Sequence, residues 1–374
     1  MHKFIAKAEI KSIMKKVKFS NKEPKDFSKI IHKRVNQYFK DRGISKAGNL
    51  HMYVKTAVML MLYFVPYVML LLNILPIWAM FVMYAIMGFG ISGIGLSIMH
   101  DSNHEAFSNK KWVNKLFGFS MNIMGFSAYN WKIQHNVLHH TFTNVYGLDE
   151  DIHDKPFIRL SPHGKLKSYH RYQHIYAPIL YCFSTISWFF IKDIKQLKVY
   201  KNSNLTPKET RESMLNIPVT IITKIVLLFY IIALPIMIGL PWWVVITGFV
   251  LMHMVGGLVI TTIFQLAHVV EGPEHHDAHK TDMIEGSRAV HQLKTTANFA
   301  MKSPLVTWFA GGLNFQIEHH LFPTICHVHY TKISKIVKET AQEFGLPYYH
   351  QPKMWKAVVS HLRMLKQFGN MKMA

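Results

Sequence analysis

Two long apolar blocks dominate the chain. The first covers residues 53–99 and is broken once, at Asn73-Ile-Leu-Pro76; the second covers 217–267 and is broken at Pro235, Gly239 and Pro241. A helix rises 1.5 Å per residue, so a bilayer core takes roughly 20 residues to cross. Each block is long enough for two crossings, and the pattern predicts two hairpins of membrane helices. Pro76 suits the start of the second helix, where its missing N–H has no partner to lose. Trp242 and Trp243 fall where an interfacial aromatic belt would place them. Lys224 sits near the cytosolic end of the third crossing and is expected to reach outward along its stem. His253 lies mid-span, where a buried, hydrogen-bonded histidine is the simpler reading than a metal ligand.

Two further apolar stretches are less plain. Residues 112–129 carry Lys115, Asn122 and several glycines, which suits an interfacial or buried segment beneath the cytosolic part. Residues 175–191 are barely long enough to cross. A lone crossing here would put His268 and everything after it on the opposite face from the histidines before it. One centre cannot be shared across about 30 Å of hydrocarbon, so this segment is expected to lie in the interface as an amphipathic helix. Beyond residue 330, Ile333, Ile336, Val337 and later Trp355, Val358, Val359 and Leu362 have helical spacing and predict a soluble cap. The resulting division is a basic arm over 1–52, a first hairpin over 53–99, and a cytosolic region over 100–216. A second hairpin over 217–267 and a cytosolic cap over 268–374 complete it. The fold class is all-α, an integral membrane protein with the cap carrying a dinuclear metal site.

Composition agrees with that division. Of 374 residues half are hydrophobic, and the formal charge is +22, crowded into the ends and connections rather than the apolar blocks. The positive-inside rule and anionic headgroups account for this charge once crossings exist, so no nucleic-acid partner is expected. The basic arm, the lysine-rich stretch 195–208 and the basic tail then all lie on the cytosolic side. The start, residues 1–49, has no central apolar stretch of signal-peptide type. Cys182 and Cys326 are the only cysteines, which indicates neither a disulfide framework nor a thiolate metal site.

The chemistry sits just outside the apolar blocks. Three histidine clusters occur: His100-Asp-Ser-Asn-His104, His135-Asn-Val-Leu-His139-His140 and Gln316-Ile-Glu-His319-His320, with His268 alone after the last block. Chance would place one or two adjacent pairs among 24 histidines, and the chain has three, so pairs alone carry little weight. His275-His276 is such a pair, in a polar loop. All three spaced clusters at one end of the crossings carry the argument. On a helix His100 and His104 share a face, as do His135 and His139, while His140 is turned about 100° from His139 and can serve a neighbouring ion. Gln316 is placed for its amide to approach the same centre. Neutral imidazole binds iron, copper, zinc and nickel well, and eight ligands exceed what one ion takes. A zinc site needs three or four ligands; paired iron fits a nitrogen-rich site that changes oxidation state. Asp101, Asp149, Asp151 and Glu318 are candidates to orient imidazoles by accepting their second N–H. His153, His163, His170, His174, His327 and His329 are read as surface or hydrogen-bonding residues.

These motifs closely resemble the membrane fatty-acid desaturases, whose signature is H-x-x-x-H, H-x-x-x-H-H and [HQ]-x-x-H-H. The similarity extends through Trp131-Lys-Ile-Gln-His135, His139-His-Thr-Phe-Thr-Asn144, Phe264-Gln-Leu-Ala-His268, His291-Gln-Leu-Lys-Thr-Thr-Ala-Asn298 and Gly311 to Pro323. It covers roughly residues 27–369. Gln316 in place of histidine resembles the front-end group of Δ5/Δ6 type, including bacterial acyl-lipid or linoleoyl-CoA-type enzymes. The resemblance implies diiron ligands at His100, His104, His135, His139, His140, His268, His319 and His320, with Gln316 beside or on the metal. It implies O2-dependent removal of hydrogen from two adjacent methylenes of a long-chain fatty acyl substrate lying in an apolar tunnel, CoA- or lipid-linked, in contact with membrane lipids. Two departures stand out. Many front-end relatives carry a fused cytochrome b5 domain with a His-Pro-Gly-Gly motif absent here, so electrons are expected from a separate ferredoxin or cytochrome b5. Some acyl-CoA desaturases have asparagine four residues before the lone histidine; this chain has Phe264, so no water-bridged ligand is expected there.

The nearest rival function is a membrane diiron hydroxylase of fatty acyl or alkane substrates, which shares the first hydrogen abstraction. The residues around His320-Leu-Phe-Pro favour the desaturase. A metal transporter would hold its ligands near the bilayer midplane rather than beyond the ends of the crossings.

Overall fold

The computed structural model describes residues 14, 16–20, 24, 26–202, 205 and 211–371. Among these, four helices are long and apolar enough to cross a membrane: Leu50–Leu71, Ile77–Asn103, Leu215–Met237 and Trp242–His268. The first turn is made by Asn73 at φ 53°, with Pro76 capping the second helix from one residue outside it. Gly239 at φ 101° and Pro241 do the same between the third and fourth. Pro235, expected to break the third helix, does not. A π turn over Phe229–Ala233 precedes it, and the helix continues to Met237; a wider turn leaves room for a proline ring. Tyr63, Tyr84, Phe249 and Met252 are buried where these helices meet. Phe64, Val65 and Val68 on the first and Ile221, Ile222 and Ile225 on the third face outward, as expected of helices in contact with lipid.

The segment expected to lie flat in the interface is a bent pair, Ser168–Cys182 and Ser184–Tyr200, meeting at 61°. At the bend, Ser184 Oγ donates to Gly257 O at 3.2 Å and Thr185 Oγ1 to His253 O at 2.7 Å. The bend thus reaches the middle of the fourth apolar helix. Both ends return towards the histidines: Gln173 Nε2 donates to Leu365 O in the cap, and Tyr200 OH to Glu150 beyond the second cluster. Within residues 112–129, expected to be interfacial or buried, the helix Lys111–Gly118 exposes Trp112 and Leu116 and buries Val113 and Asn114.

Lys224 does not reach outward. Its Nζ donates to Gly125 O and Phe189 O at 2.6 Å and to Asp193 Oδ2 at 2.9 Å. The carboxylate of Asp193 is fully buried, and a buried charge requires a partner; the lysine turns inward to supply it.

Helices dominate, but three two-stranded parallel ladders among the described residues tie distant segments together. Lys18–Phe19 pairs with Met283–Ile284, Val145–Tyr146 with His276–Asp277, and Ala297–Phe299 with Tyr349–Gln351. The second joins the end of the second histidine cluster to the loop after His268. The described part of the basic arm is a packed element: Phe27, Ile31, Val35 and Phe39, four residues apart, form one buried stripe against Ile333, Val337 and Ala341. The helix Phe27–Arg42 thereby joins Tyr330–Glu343 in the cap. Most of the arm before residue 26 and part of the stretch 195–208 lie outside the described residues.

Candidate metal centre

Each histidine cluster rests on a different local structure. The helix carrying the first cluster widens into a π-helix over Ile94–Met99 and returns to α-helical form at His100–Asn103. His100 and His104 then lie one turn apart, with ring centroids 4.8 Å from each other. The second cluster is itself a π-helix, Lys132–His139, closed by a hydrogen bond from His140 N to His135 O at 2.9 Å. This corrects the α-helical expectation. A turn of more than four residues carries both His139 and His140 round towards His135, where an α-helix would splay them; π turns recur at functional sites. The third cluster lies on the six-residue helix Gln316–Leu321, and His268 ends the fourth apolar helix.

All eight histidines are buried, and they converge. Among the described residues, ligand atoms of His100, His104, His135 and His319 lie within 4.8 Å of one another, as do those of His139, His268 and His320. His140 joins the two nests through His319 and His320. Its Nε2 is 3.2 Å from Nε2 of His135 and 3.0 Å from Nε2 of His319. Nε2 of His100, His104, His139, His268 and His320 has no hydrogen-bond partner among the described residues. Gln316 is buried beside them with its Nε2 also unpaired.

On four of the eight histidines the opposite ring nitrogen is held. His139 Nδ1 is 3.0 Å from Asp149 Oδ2, and His320 Nδ1 is 2.7 Å from Gln292 Oε1. His319 Nδ1 meets Tyr330 OH at 3.2 Å, and His268 Nδ1 meets Thr295 O at 3.4 Å. Nδ1–H pinned on one side leaves the Nε2 lone pair free on the other, the usual arrangement behind a metal-bound imidazole. Gln292 does more: its Nε2 donates to His140 O at 3.0 Å, and Thr143 Oγ1 donates to its Oε1 at 2.9 Å. Spacing along the chain gives Gln292, Thr143, Tyr330 and Thr295 no role. The run His291–Asn298 contained the signal for two of them, but nothing local shows that residue 292 meets residue 320.

The four carboxylate candidates separate. Asp149 holds His139. Asp151 is 3.5 Å from the same nitrogen and hydrogen-bonds Gln134 at 2.6 Å. Asp101 lies 3.6 Å from His100 Nδ1 but 2.7 Å from Nδ1 of His327. Glu318 orients no imidazole, contrary to expectation. Its oxygens accept from Tyr348 OH and Asn298 Nδ2, because its side chain leaves the short helix on the face away from the histidines. Burial pushes Glu318 up to about 7, against those two hydrogen bonds.

Burial, then repulsion among the rings, drives His104, His135, His140, His319 and His320 well below the ordinary histidine range. Burial would also lower His139, but the Asp149 carboxylate outweighs it and raises it. Neutral imidazole is the form that binds a metal. Converging unpaired lone pairs are unfavourable unless a cation lies among them, so the donor set fits two metal ions, all nitrogen and no thiolate. Asp101, Cys326 and His327 form another cluster of metal-binding residue types. There Lys55 Nζ already donates to His327 Nε2 at 2.6 Å, and His327 Nδ1–H donates on to Asp101. That cluster is a satisfied buried ion pair. His253 likewise has the hydrogen-bonding role expected of it, with Nδ1 3.3 Å from Thr185 Oγ1.

Comparison with known proteins agrees with this chemistry. The fatty acid desaturase family profile matches residues 75–352. The chain is 35% identical over 343 residues to an sn-1 linoleoyl-lipid 6-desaturase of Arthrospira platensis, covering 92% of each protein. It is 33% identical over 361 residues to the enzyme of the same description in Synechocystis sp., covering 95% of this chain and 98% of that one. An acyl-lipid (8-3)-desaturase of Physcomitrium patens is 32% identical over 361 residues, 94% of this chain and 74% of that protein. A buried all-histidine centre at the ends of long apolar helices and similarity over nearly the whole chain lead to one conclusion: this protein belongs to the fatty acid desaturase family and is an oxidoreductase of unsaturated fatty acid biosynthesis.

Proposed function

We propose that the chain is a four-crossing membrane enzyme that inserts a cis double bond between the carboxyl end and the existing double bonds of a lipid-linked fatty acyl chain. This is front-end chemistry of Δ6/Δ5 type, in keeping with the 6-desaturase and (8-3)-desaturase relatives. The observation that carries it is the set of eight buried histidines, five of them with unpaired Nε2 atoms, beside an apolar cavity. Met99, Met121, Met124, Phe126, Trp131 and Phe264 line that cavity, about 30 Å³ in volume. The Trp131 ring stacks on His135 at 4.4 Å, and Phe264 lies 6.0 Å from it.

Two iron ions held by His100, His104, His135, His139, His140, His268, His319 and His320, with Gln316 beside them, would supply the redox change that activates O2. The protein's own residues position and exclude. Asp149, Gln292, Tyr330 and the Thr295 carbonyl fix the imidazole planes. Trp131 and Phe264 keep water from the reacting methylenes and define which C–H bonds face the centre; small misplacement there is costly to rate. Forming one double bond with O2 consumes two electrons and two protons and releases two waters. A separate ferredoxin or cytochrome b5 supplies the electrons, drawn to the basic face by charge. The hairpins over 53–99 and 217–267 leave 1–52, 268–374 and the histidine-bearing parts of 100–216 on the cytosolic side, where positive charge concentrates, while the bend at Ser184 and Thr185 dips into the apolar layer.

Expression in a bacterial host fed linoleate tests this. A new double bond on the carboxyl side of the existing ones, located by mass spectrometry and absent from His320→Ala, is the expected result. Hydroxylated acyl chains in its place would overturn the reaction assigned.

A further inference from the structure

Four glycines follow one another on the helix that delivers the first histidine cluster, and three have an evident packing reason. A Cβ at Gly88 would come within 2.5 Å of Met252 O, at Gly90 within 2.8 Å of Tyr63 N, and at Gly93 within 2.2 Å of Met59 Sδ. At Gly88 and Gly90 a neighbouring helix backbone approaches too closely for any side chain, and at Gly93 the packed Met59 side chain would have to move. Gly95 is different. A Cβ at this position meets only Ile260 Cδ1, at 3.6 Å, an ordinary contact. Its backbone is not in the left-handed region either. Glycine is the costliest residue in a helix interior after proline, so its presence at 95 calls for a reason other than packing or conformation.

The apolar cavity supplies one. Gly95 and Ile260 both line it, from the second and fourth apolar helices, with Ile91 one turn further from the histidines. Position 95 lies five residues before His100, little more than one turn of the π-helix away. Any side chain at 95 projects across the cavity towards Ile260 just beyond the reacting centre. The cavity is narrow, yet Met99, Met121 and Met124 form much of its wall, and methionine adapts its shape readily. A chain can part three thioethers; it cannot part a Cβ fixed to a helix backbone.

We infer that Gly95 is a specificity-determining residue: it keeps open the passage through which the methyl-end part of the acyl chain runs past the metal centre. The inference rests on the desaturase function proposed above. Side chains at 95 shorten the usable passage and shift preference to shorter acyl chains. Burying one methylene contributes about fourfold to binding. A valine that excludes two methylenes therefore raises the ratio of 16-carbon to 18-carbon products about fifteenfold.

The test is competition in one host supplied with 16- and 18-carbon substrates, with wild type, Gly95→Ala and Gly95→Val compared by product ratio and by iron content of the purified proteins. The expected result is a graded shift, small for alanine and large for valine, with iron content unchanged. An unchanged ratio in an active Gly95→Val enzyme overturns the inference. Loss of activity on both chain lengths, or failure of both variants to fold, also overturns it, because position 95 would then be a packing glycine like its neighbours. No desaturated product from wild type would refute the functional reading itself and take this inference with it.

Discussion

Asp149→Asn is the substitution whose effect can be worked most fully from the structure. The carboxylate is completely buried and receives three N–H groups. Oδ2 takes His139 Nδ1–H at 3.0 Å and the Asn144 N–H at 2.9 Å, while Oδ1 takes the Asp151 N–H at 3.0 Å. Asparagine keeps the shape but offers one oxygen and one NH2. If its oxygen takes the Oδ2 position, the NH2 faces the Asp151 N–H; reversed, it faces both others. At least one donor is stranded, and the charge that strengthened the others is lost. Hydrogen bonds to a charged group contribute about 1.5–3 kcal/mol each, and removing the outer partner of a metal-bound imidazole typically costs about 10–100-fold in metal affinity or activity. Asp149→Asn is therefore expected to weaken iron retention by about that factor. The assay is iron release to a competing chelator, followed with purified protein in detergent. Asp151→Asn is the control: at 3.5 Å and partly exposed, it should stay within a few-fold of wild type. Iron retention and turnover of Asp149→Asn within twofold of wild type would refute the reasoning.

Three further outcomes follow from the same contacts. His139→Ala and His320→Ala each remove an unpaired Nε2 from the nest that includes His268; desaturation should fall below detection while membrane fractionation is unchanged. Lys224→Met strands the fully buried Asp193 carboxylate, costing about 3–5 kcal/mol, visible as a lower melting temperature that the added change Asp193→Asn should largely restore. Asp101→Ala leaves Lys55, 3% exposed, and His327 without the carboxylate that neutralises them, with a loss of similar size; a melting temperature equal to wild type would show that this ion pair contributes nothing.

What could be read from sequence was whatever local spacing encodes. The apolar runs are long enough to declare the four helices, and the eight histidines stand in short motifs whose spacing survives folding. The cap helix Tyr330–Glu343 was legible from its apolar period. The matching stripe at Phe27, Ile31, Val35 and Phe39 carries the same signal within a basic, amphipathic arm, but nothing local shows that it packs on the cap. Long-range pairings were not legible. Lys224 is an interior lysine whether it reaches outward or turns to Asp193, and only the fold decides. Glu318 stands next to His319, yet helix geometry aims it at Tyr348 and Asn298 instead. The π turns escaped because a pattern of apolar and polar positions cannot distinguish a turn of slightly more than four residues from one of 3.6. That difference brings His140 to the centre.

The central claim is that these histidines hold two irons that desaturate an acyl chain. The most direct measurement is the fatty-acid methyl-ester profile of a linoleate-fed host expressing wild type or His320→Ala, with each double bond located by mass spectrometry. A new double bond between the carboxyl group and those already present, made by wild type alone, is the predicted result. The same product from an iron-loaded His320→Ala protein, or a hydroxylated product from wild type, would contradict it.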